Sequence, residues 1–373
     1  MINYEEMLVD SKKAVFKDPK ALGLCLVTGA AGFLGSNIVK SLLAQGCKVR
    51  ALVNRSPLNF THDNLDIFAG SITDKAQMEK ACEGVGTIFH AAALIALMGG
   101  PFVAREYYDK AYQTNVVGTK NLLDAAVKNG IARFVYTSSV DVCFEYGNQS
   151  NMTEDMPYSV SQRSVYQQTK ILAEKSVLEA NGKNGLFTCA IRPGGIYGPE
   201  KNEMLDRFLD QLLKGMLVMR IGDGSSKLDV SQVDSLVHSE ILAALHLGDK
   251  GTANGQAYFI NDGEPTNSFE FYRPIIEDLG YKMPKLYLPG GFLIPFMLML
   301  EFVVLKLGLG EPPLCVHAIK KVACTHWSSI AKAERDLDFK ALKTVKQSVA
   351  DCMEYCRKSV LSVYDKTPET RSV

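Results

Sequence analysis

Three short stretches of this sequence hold side chains that, brought together, would move a proton and a hydride. Tyr166-Gln-Gln-Thr-Lys170 sets a phenol and an ammonium four residues apart, a spacing that puts both on one face of a helix. A phenol with a pKa of about 10 is a poor acid or base at neutral pH. A neighbouring ammonium stabilises the phenolate and pulls that value down. Tyr166 can then give a proton to a carbonyl oxygen in a reduction or take one from an alcohol in an oxidation, while Lys170 bonds a nicotinamide ribose. Ser139, ending Tyr136-Thr-Ser-Ser139, offers a hydroxyl to hold and polarise the substrate oxygen. Asn115, polar amid an apolar helical pattern, is the candidate for ordering a proton-relay water. Each has a plainer explanation: Tyr-x-x-x-Lys recurs by chance in helices, Ser139 can cap a helix, and Asn115 can be a satisfied core amide. Their order behind a dinucleotide loop makes them one constellation.

That loop is Thr28-Gly29-Ala-Ala-Gly32-Phe33-Leu34-Gly35, directly after an apolar run and at the start of a helical pattern. Gly29, Gly32 and Gly35 permit the tight turn, the approach of a pyrophosphate and close strand–helix packing. Phe33 and Leu34 open a helix whose N-terminal N–H groups face the phosphates. Cofactor choice is read at the end of the second strand, where Lys48-Val-Arg-Ala-Leu-Val53 runs into Asn54-Arg55 with no carboxylate. Arg55 can pair with a 2′-phosphate, so NADP(H) is expected. The alternative has Asn54 holding the plain ribose of NAD(H).

These groups need a frame. Leu22–Val27, Val49–Val53, Asp66–Ala69, Thr87–Ala91, Phe134–Ser138 and Thr188–Ile191 are short, β-rich apolar runs. Between them, Leu34–Gln45 and Tyr112–Lys128 carry helical spacing. Such alternation specifies an α/β fold, a doubly wound parallel sheet (Rossmann) with right-handed crossovers. The reading divides the chain into an N-terminal extension 1–20, a dinucleotide-binding domain 21–198 and a smaller C-terminal substrate lobe 199–373. Phe292–Leu305 is nearly all apolar but broken by Pro295 and Glu301. It falls short of the about 20 residues a bilayer span takes, leaving an interfacial helix or a greasy lid.

Composition narrows the partners. With 373 residues and 47% apolar content the chain can bury a large core. Forty-one basic and 41 acidic residues balance, which argues against nucleic acid. The nine cysteines include no Cys-x-x-Cys pair, so no metal site is expected and free thiols are. Cys352 and Cys356 should share a helix face. Met1–Lys20 has no apolar core to act as a secretory signal, so a cytosol-facing domain is expected and the triplets Asn148-Gln-Ser150 and Asn151-Met-Thr153 carry no glycan.

Together these residues resemble the extended short-chain dehydrogenase/reductase family over roughly the whole chain. Phe89-His-Ala-Ala-Ala93 is similar to the stretch that lines the cofactor after the fourth strand, and Asn115-Val-Val-Gly-Thr119 and Arg192-Pro-Gly-Gly-Ile-Tyr-Gly198 to two further signatures. The resemblance implies cofactor contacts at Ala91, Ala92, Pro193 and Ile196, besides Tyr166 and Lys170. Closer still, Lys170-Ile-Leu-Ala-Glu-Lys175, Thr188-Cys-Ala-Ile-Arg-Pro193, Gly255-Gln-Ala-Tyr-Phe-Ile260, Thr325-His-Trp-Ser-Ser329 and Lys332-Ala-Glu-Arg-Asp-Leu337 resemble the 3β-hydroxysteroid dehydrogenase/isomerase branch. That implies a steroid or similar lipid substrate and an apolar C-terminal segment on a membrane. The location implied is the cytoplasmic face of the endoplasmic reticulum, or the cytoplasm, with a homodimer as the family's ordinary state.

The chain also departs from the pattern. Val53 stands where NAD-using members carry an acid, and Ser71, beside Ile72 in the adenine contact, replaces the usual aspartate. Asp262-Gly263 keeps one carboxylate of an expected pair near the Tyr-Phe-Ile element, so weak or absent isomerase activity is expected. Two other functions compete: NADP-dependent reduction of a smaller carbonyl such as a flavonoid or aldehyde, and a non-catalytic dinucleotide-sensing scaffold. Nucleotide-sugar epimerisation fits the fold but would want polar residues where this chain offers Phe, Leu and Met.

Overall fold

A computed structural model describes residues 18–100, 103–307 and 315–364, so most of the 1–20 extension lies outside the described residues. Seven strands form the central sheet: β1 (Leu24–Thr28), β2 (Lys48–Val53), β3 (Leu65–Ala69), β4 (Val85–His90), β5 (Arg133–Thr137), β6 (Phe187–Pro193) and β7 (Ala257–Ile260). Their spatial order is β7-β6-β5-β4-β1-β2-β3, and every neighbouring pair is parallel. A sheet of this kind is covered on both faces, which explains why its strands read as continuous apolar runs. Side chains alternate across the sheet: Cys25 and Val27 enter one core and Leu26 the other. Edge strand β3 is largely exposed and mixes polar residues accordingly. Six strands match the apolar runs; β7 is the seventh.

The first core packs α1 (Phe33–Ala44) and α4 (Val233–Leu245) through Ile38, Leu42, Leu236, Ile241 and Ala244. The opposite core packs α2 (Gly118–Lys128) and α3 (Val165–Glu179) through Leu122, Ala126, Ala173 and Val177. Helix Arg105–Tyr112 runs into α2 through a π-helical turn at Gln113–Val117. The chain beyond 198 does not stay apart from the sheet. Both α4 and β7 return to it, and strand Val230–Gln232 pairs with Gly195–Tyr197.

The rest of that half builds a separate apolar cluster from Leu205, Phe208, Ile275, Val349, Cys352 and Cys356, the two cysteines buried on one face of helix Val345–Tyr364. All nine cysteines are free thiols. A four-stranded sheet joins Gln149–Met152, just after β5, to His326–Ser328 in the lobe.

The apolar segment forms α5 (Gly290–Lys306), followed after the undescribed 308–314 by α6 (Val316–Ala323). Met297 and Glu301 face inward, and the Glu301 carboxylate accepts a hydrogen bond from the Val316 N–H at 2.5 Å. Phe296, Leu298, Met299, Val303 and Leu307 are exposed. Among the described residues no helix is long and apolar enough to cross a membrane.

Candidate active site

Sheet order reverses between β1 and β4, which opens a crevice at their carboxyl ends. The glycine loop lines it. Gly29 has φ +67°, and a Cβ there would lie 2.9 Å from the Cα of Ala92 in the chain leaving β4. A Cβ on Gly35 would lie 2.2 Å from the Gly29 carbonyl oxygen, so strand and helix approach at a distance only glycine allows. Gly32 is the N-cap of α1, with no side-chain cap and no acidic residue in the first turn. The N–H groups of Phe33, Leu34 and Gly35 therefore stand open at the positive end of the helix, an anion-binding geometry.

Behind the loop runs a buried chain of hydrogen bonds. Thr119 Oγ1 donates to the Asn115 carbonyl at 2.6 Å and so accepts from His90 Nε2 at 2.9 Å. His90 Nδ1 is then the acceptor for Thr28 Oγ1 at 2.7 Å, and Thr28 Oγ1 accepts from the Ala92 N–H at 3.2 Å. Burial pulls His90 down to about 3, which keeps the imidazole neutral as this relay requires. The relay fixes the Ala91–Ala92 segment against the glycine loop.

Asn115 sits in the π-helical turn, and its side chain is fully occupied. Its amide N donates to the Leu94 carbonyl and to Thr169 Oγ1, each at 2.9 Å, and its carbonyl accepts from the Leu94 N–H at 2.7 Å. The plainer explanation of Asn115 is the one its side chain fits: a satisfied core amide pinning the loop after β4 to α3.

That loop in turn seats α3, the helix of Tyr166 and Lys170. Tyr166 N–H donates to the Ala96 carbonyl at 2.8 Å and Val165 N–H to Met98 at 2.9 Å. These bonds satisfy first-turn donors that a helix leaves free. Ser164 caps the same helix by accepting from the Gln167 N–H. Gln167, wholly buried, donates to the Asp141 and Phe144 carbonyls at 2.7 and 2.8 Å. It thereby fixes α3 against the Ser139 turn. Ser139, two residues after β5, caps that turn through the Asp141 N–H at 3.2 Å. The Ser139 hydroxyl also lowers the pKa of the Tyr166 phenol. The capping explanation is the one the Asp141 bond fits.

Lys170 differs from expectation. Its Nζ is 5.9 Å from the Tyr166 ring centroid, 4.4 Å from that of Tyr136, and donates to the Thr137 carbonyl at 2.5 Å. Burial and the Asp141 charge push the Tyr166 phenol above its ordinary value, with the Ser139 hydroxyl opposing. Burial pulls Lys170 down to about 7, with Glu174 and Glu240 opposing. The expected lowering of the phenol by the ammonium is not what this arrangement gives: desolvation raises the phenol, and the ammonium is turned to the Thr137 carbonyl.

The remaining predicted residues fall around the crevice. Asn54 and Arg55 are exposed directly after β2, and Arg55 forms no ion pair among the described residues. Ser71 follows β3; its N–H donates to Gln77 Oε1 at 2.8 Å and its hydroxyl pairs with Thr73. Ile72 is buried beneath Gly118, where a Cβ would lie 2.7 Å from it. Pro193 closes β6, and Ile196 lies in the strand that follows. Asp262 is held by the Gln232 N–H at 2.8 Å and the Tyr197 hydroxyl at 2.7 Å, one to each carboxyl oxygen. The residues fit a dinucleotide: the open helix N-terminus takes a pyrophosphate, and the buried Ser138 hydroxyl, beside Ser139, has no partner within the protein.

Sequence reasoning did not single out Gln167, Thr28, Thr119, Ser138 or the buried pair Arg192–Glu174, which is 2.6 Å apart. A polar residue inside an apolar helical pattern was the available signal for Gln167. Nothing local marks Thr28 or Thr119, which depend on a partner many residues away.

Fold, loop and Tyr–Lys helix define a nicotinamide-dependent short-chain dehydrogenase/reductase. The sequence profile of the 3-beta hydroxysteroid dehydrogenase/isomerase family matches residues 26–290. A 3 beta-hydroxysteroid dehydrogenase/Delta 5-->4-isomerase of Mycobacterium tuberculosis is 42% identical over 334 residues, covering 90% of each chain. A 3-beta-hydroxysteroid dehydrogenase of Mycolicibacterium neoaurum is 42% identical over 335 residues, 90% of this chain and 91% of its own. Among solved structures, MoeE5 in complex with UDP-glucose and NAD superposes with a TM-score of 0.68 at 25% identity, covering 91% of this chain and all of that one. The chain belongs to the 3-beta hydroxysteroid dehydrogenase/isomerase family, and it is an NAD(P)-dependent dehydrogenase.

Proposed function

We propose that this dehydrogenase oxidises the 3β-hydroxyl of a steroid or sterol, or reduces the matching 3-ketone, with Tyr166 as acid/base. The observation that carries the reading is the placement at the carboxyl edge of the sheet: Tyr166 and Lys170 lie one turn apart on α3, and Lys170 is bonded to the end of β5, two residues before Ser139. The open N-terminus of α1 would hold the pyrophosphate, and Lys170 and the Ser138 hydroxyl the nicotinamide side. A bound nicotinamide supplies the hydride exchange and, when oxidised, a positive charge that favours the phenolate. Ser139 orients the substrate oxygen toward Tyr166. As a phenol Tyr166 gives its proton to a ketone oxygen, and as a phenolate it takes one from the alcohol. Arg55, exposed and uncommitted after β2, favours NADP(H) over NAD(H).

The part of the chain beyond 198 that stands off the sheet takes the apolar body of the substrate, and the outward face of α5 rests on a membrane surface. Asp262, hydrogen-bonded at both oxygens and the single carboxylate of the expected pair, favours weak or absent isomerase activity.

Purified protein with either oxidised dinucleotide and a 3β-hydroxysteroid, followed by nicotinamide absorbance, tests the reading. Turnover that falls by about a hundredfold to ten-thousandfold in Tyr166→Phe, with dinucleotide binding intact, is expected. Binding without turnover in either direction rejects the steroid substrate. In the same assay, robust conversion of a Δ5-3-ketosteroid would overturn the isomerase statement.

A further inference from the structure

Glu240 has no place in the chemistry so far, and it is an expensive residue. It lies on α4, wholly buried, on the face of the sheet opposite the catalytic helix. Its Oε1 accepts from Thr137 Oγ1 at 2.6 Å, while Oε2 has no partner within the protein. No salt bridge neutralises it among the described residues. A carboxyl group buried on these terms is costly, and an apolar side chain of similar volume would remove that cost.

The residue that Glu240 touches explains the placement. Thr137 is the last residue of β5, and it is shared: its hydroxyl points to α4 and donates to Glu240, while its carbonyl accepts from Lys170 Nζ at 2.5 Å on the other face. One residue of strand therefore separates a buried carboxyl from the buried catalytic ammonium. Glu174 also favours the Lys170 ammonium, and more strongly than Glu240 does, but it is already committed to other partners. Glu174, on its own helix, is engaged twice by Arg192, at 2.6 and 3.1 Å, and by the Tyr158 hydroxyl at 3.0 Å. His90 is neutral, and Tyr136 and Tyr166 are phenols. Around Glu240 itself, the charged or titratable neighbours are Lys170 and the Cys189 thiol of β6.

We propose that Glu240 is a positioning residue for proton transfer, the counter-charge that holds Lys170 as an ammonium through the shared Thr137. This rests on the dehydrogenase reading only in that Lys170 serves the reaction. Burial pushes Glu240 up to about 7 and pulls Lys170 down to about 7, so the two groups compete for protons in the same range and each favours the charge of the other.

The test is Glu240→Gln, which keeps the shape and an acceptor for Thr137 while removing the charge. Loss of a neighbouring negative charge lowers an ammonium's pKa. The alkaline fall of kcat/KM, where Lys170 loses its proton, should therefore move to lower pH by about one unit. A purely structural Glu240 would lower kcat or the thermal midpoint and leave that limb in place, which overturns the proposal. A second readout needs no substrate: NMR titration of isotope-labelled lysine, with the Lys170 resonance assigned by its loss in Lys170→Met. Its midpoint should fall in Glu240→Gln whether or not the steroid is turned over, and an unchanged midpoint overturns the proposal independently of the substrate. Should Glu240→Gln fail to fold, Thr137→Val cuts the same bridge and should shift the same midpoint in the same direction.

Discussion

At the scale of single residues, the candidate site is held together by buried groups bonded to one another and to the backbone. Gln167 ties the catalytic helix to the Ser139 turn by two backbone carbonyls, and the Thr28–His90–Thr119 relay ties the cofactor loop to the turn at Asn115. Gly29 is the least replaceable of them. Its φ of +67° is in the left-handed region, and its missing Cβ leaves room for the backbone of Ala92. A methyl there meets backbone and not a movable side chain, so the whole loop has to shift. Gly29→Ala should weaken dinucleotide binding by at least about tenfold, or ~1.4 kcal/mol, at unchanged far-ultraviolet dichroism. Fluorescence titration with the reduced cofactor reads this, and wild-type affinity would refute the contact argument.

Among elements, the decisive feature is how α3 and β6 meet. Arg192, near the end of β6, forms a buried ion pair with Glu174 on α3, 2.6 Å apart and at most 4% exposed on either side chain. Tyr158 donates to the same carboxylate. Such a pair is not in itself a source of stability, because desolvation offsets its attraction. Removing one partner, however, strands a buried charge. Arg192→Met should cost about 3–5 kcal/mol, whereas replacing both partners with apolar residues should cost much less. Chemical denaturation of the two variants distinguishes them; equal losses would mean the pair acts only through its volume. The same junction carries Lys170 and Glu174 one turn apart, so loss of Arg192 should also disturb catalysis.

For the whole molecule, the question is what meets the outward face of α5. A helix with mean apolar character all round is ordinarily buried, yet Phe296 and Met299 are 55% and 57% exposed. On the side that packs inward, Glu301 is anchored to the start of α6, and α6 reaches the site: Lys321 Nζ and His317 Nε2 lie 2.5 and 3.4 Å from Asp141, two residues beyond Ser139. The apolar face is therefore linked to the catalytic turn by one helix and a charge pair. Phe296→Asp with Met299→Asp should reduce co-sedimentation with phosphatidylcholine vesicles by at least about tenfold, with soluble dinucleotide binding unchanged. Equal sedimentation of variant and wild type would exclude α5 as the contact.

Much of this was legible in the sequence, and the reason is locality. Six strands, the glycine loop and the Tyr–Lys helix are each written in a run of fewer than twenty residues, because period, turn chemistry and spacing act over short distances. Ser139 and Tyr166 could be ordered along the chain, and their meeting followed from the topology of a parallel sheet. What only the tertiary structure decided involves partners far apart in sequence and desolvation that no window reports. The charge on Asn115's neighbours could not say that its amide is saturated. Lys170 could not reveal that it bonds the strand and sits too deep to lower the phenol by itself. Thr137 bridging Lys170 to Glu240, 103 residues away, exists only because two helices cover opposite faces of one strand.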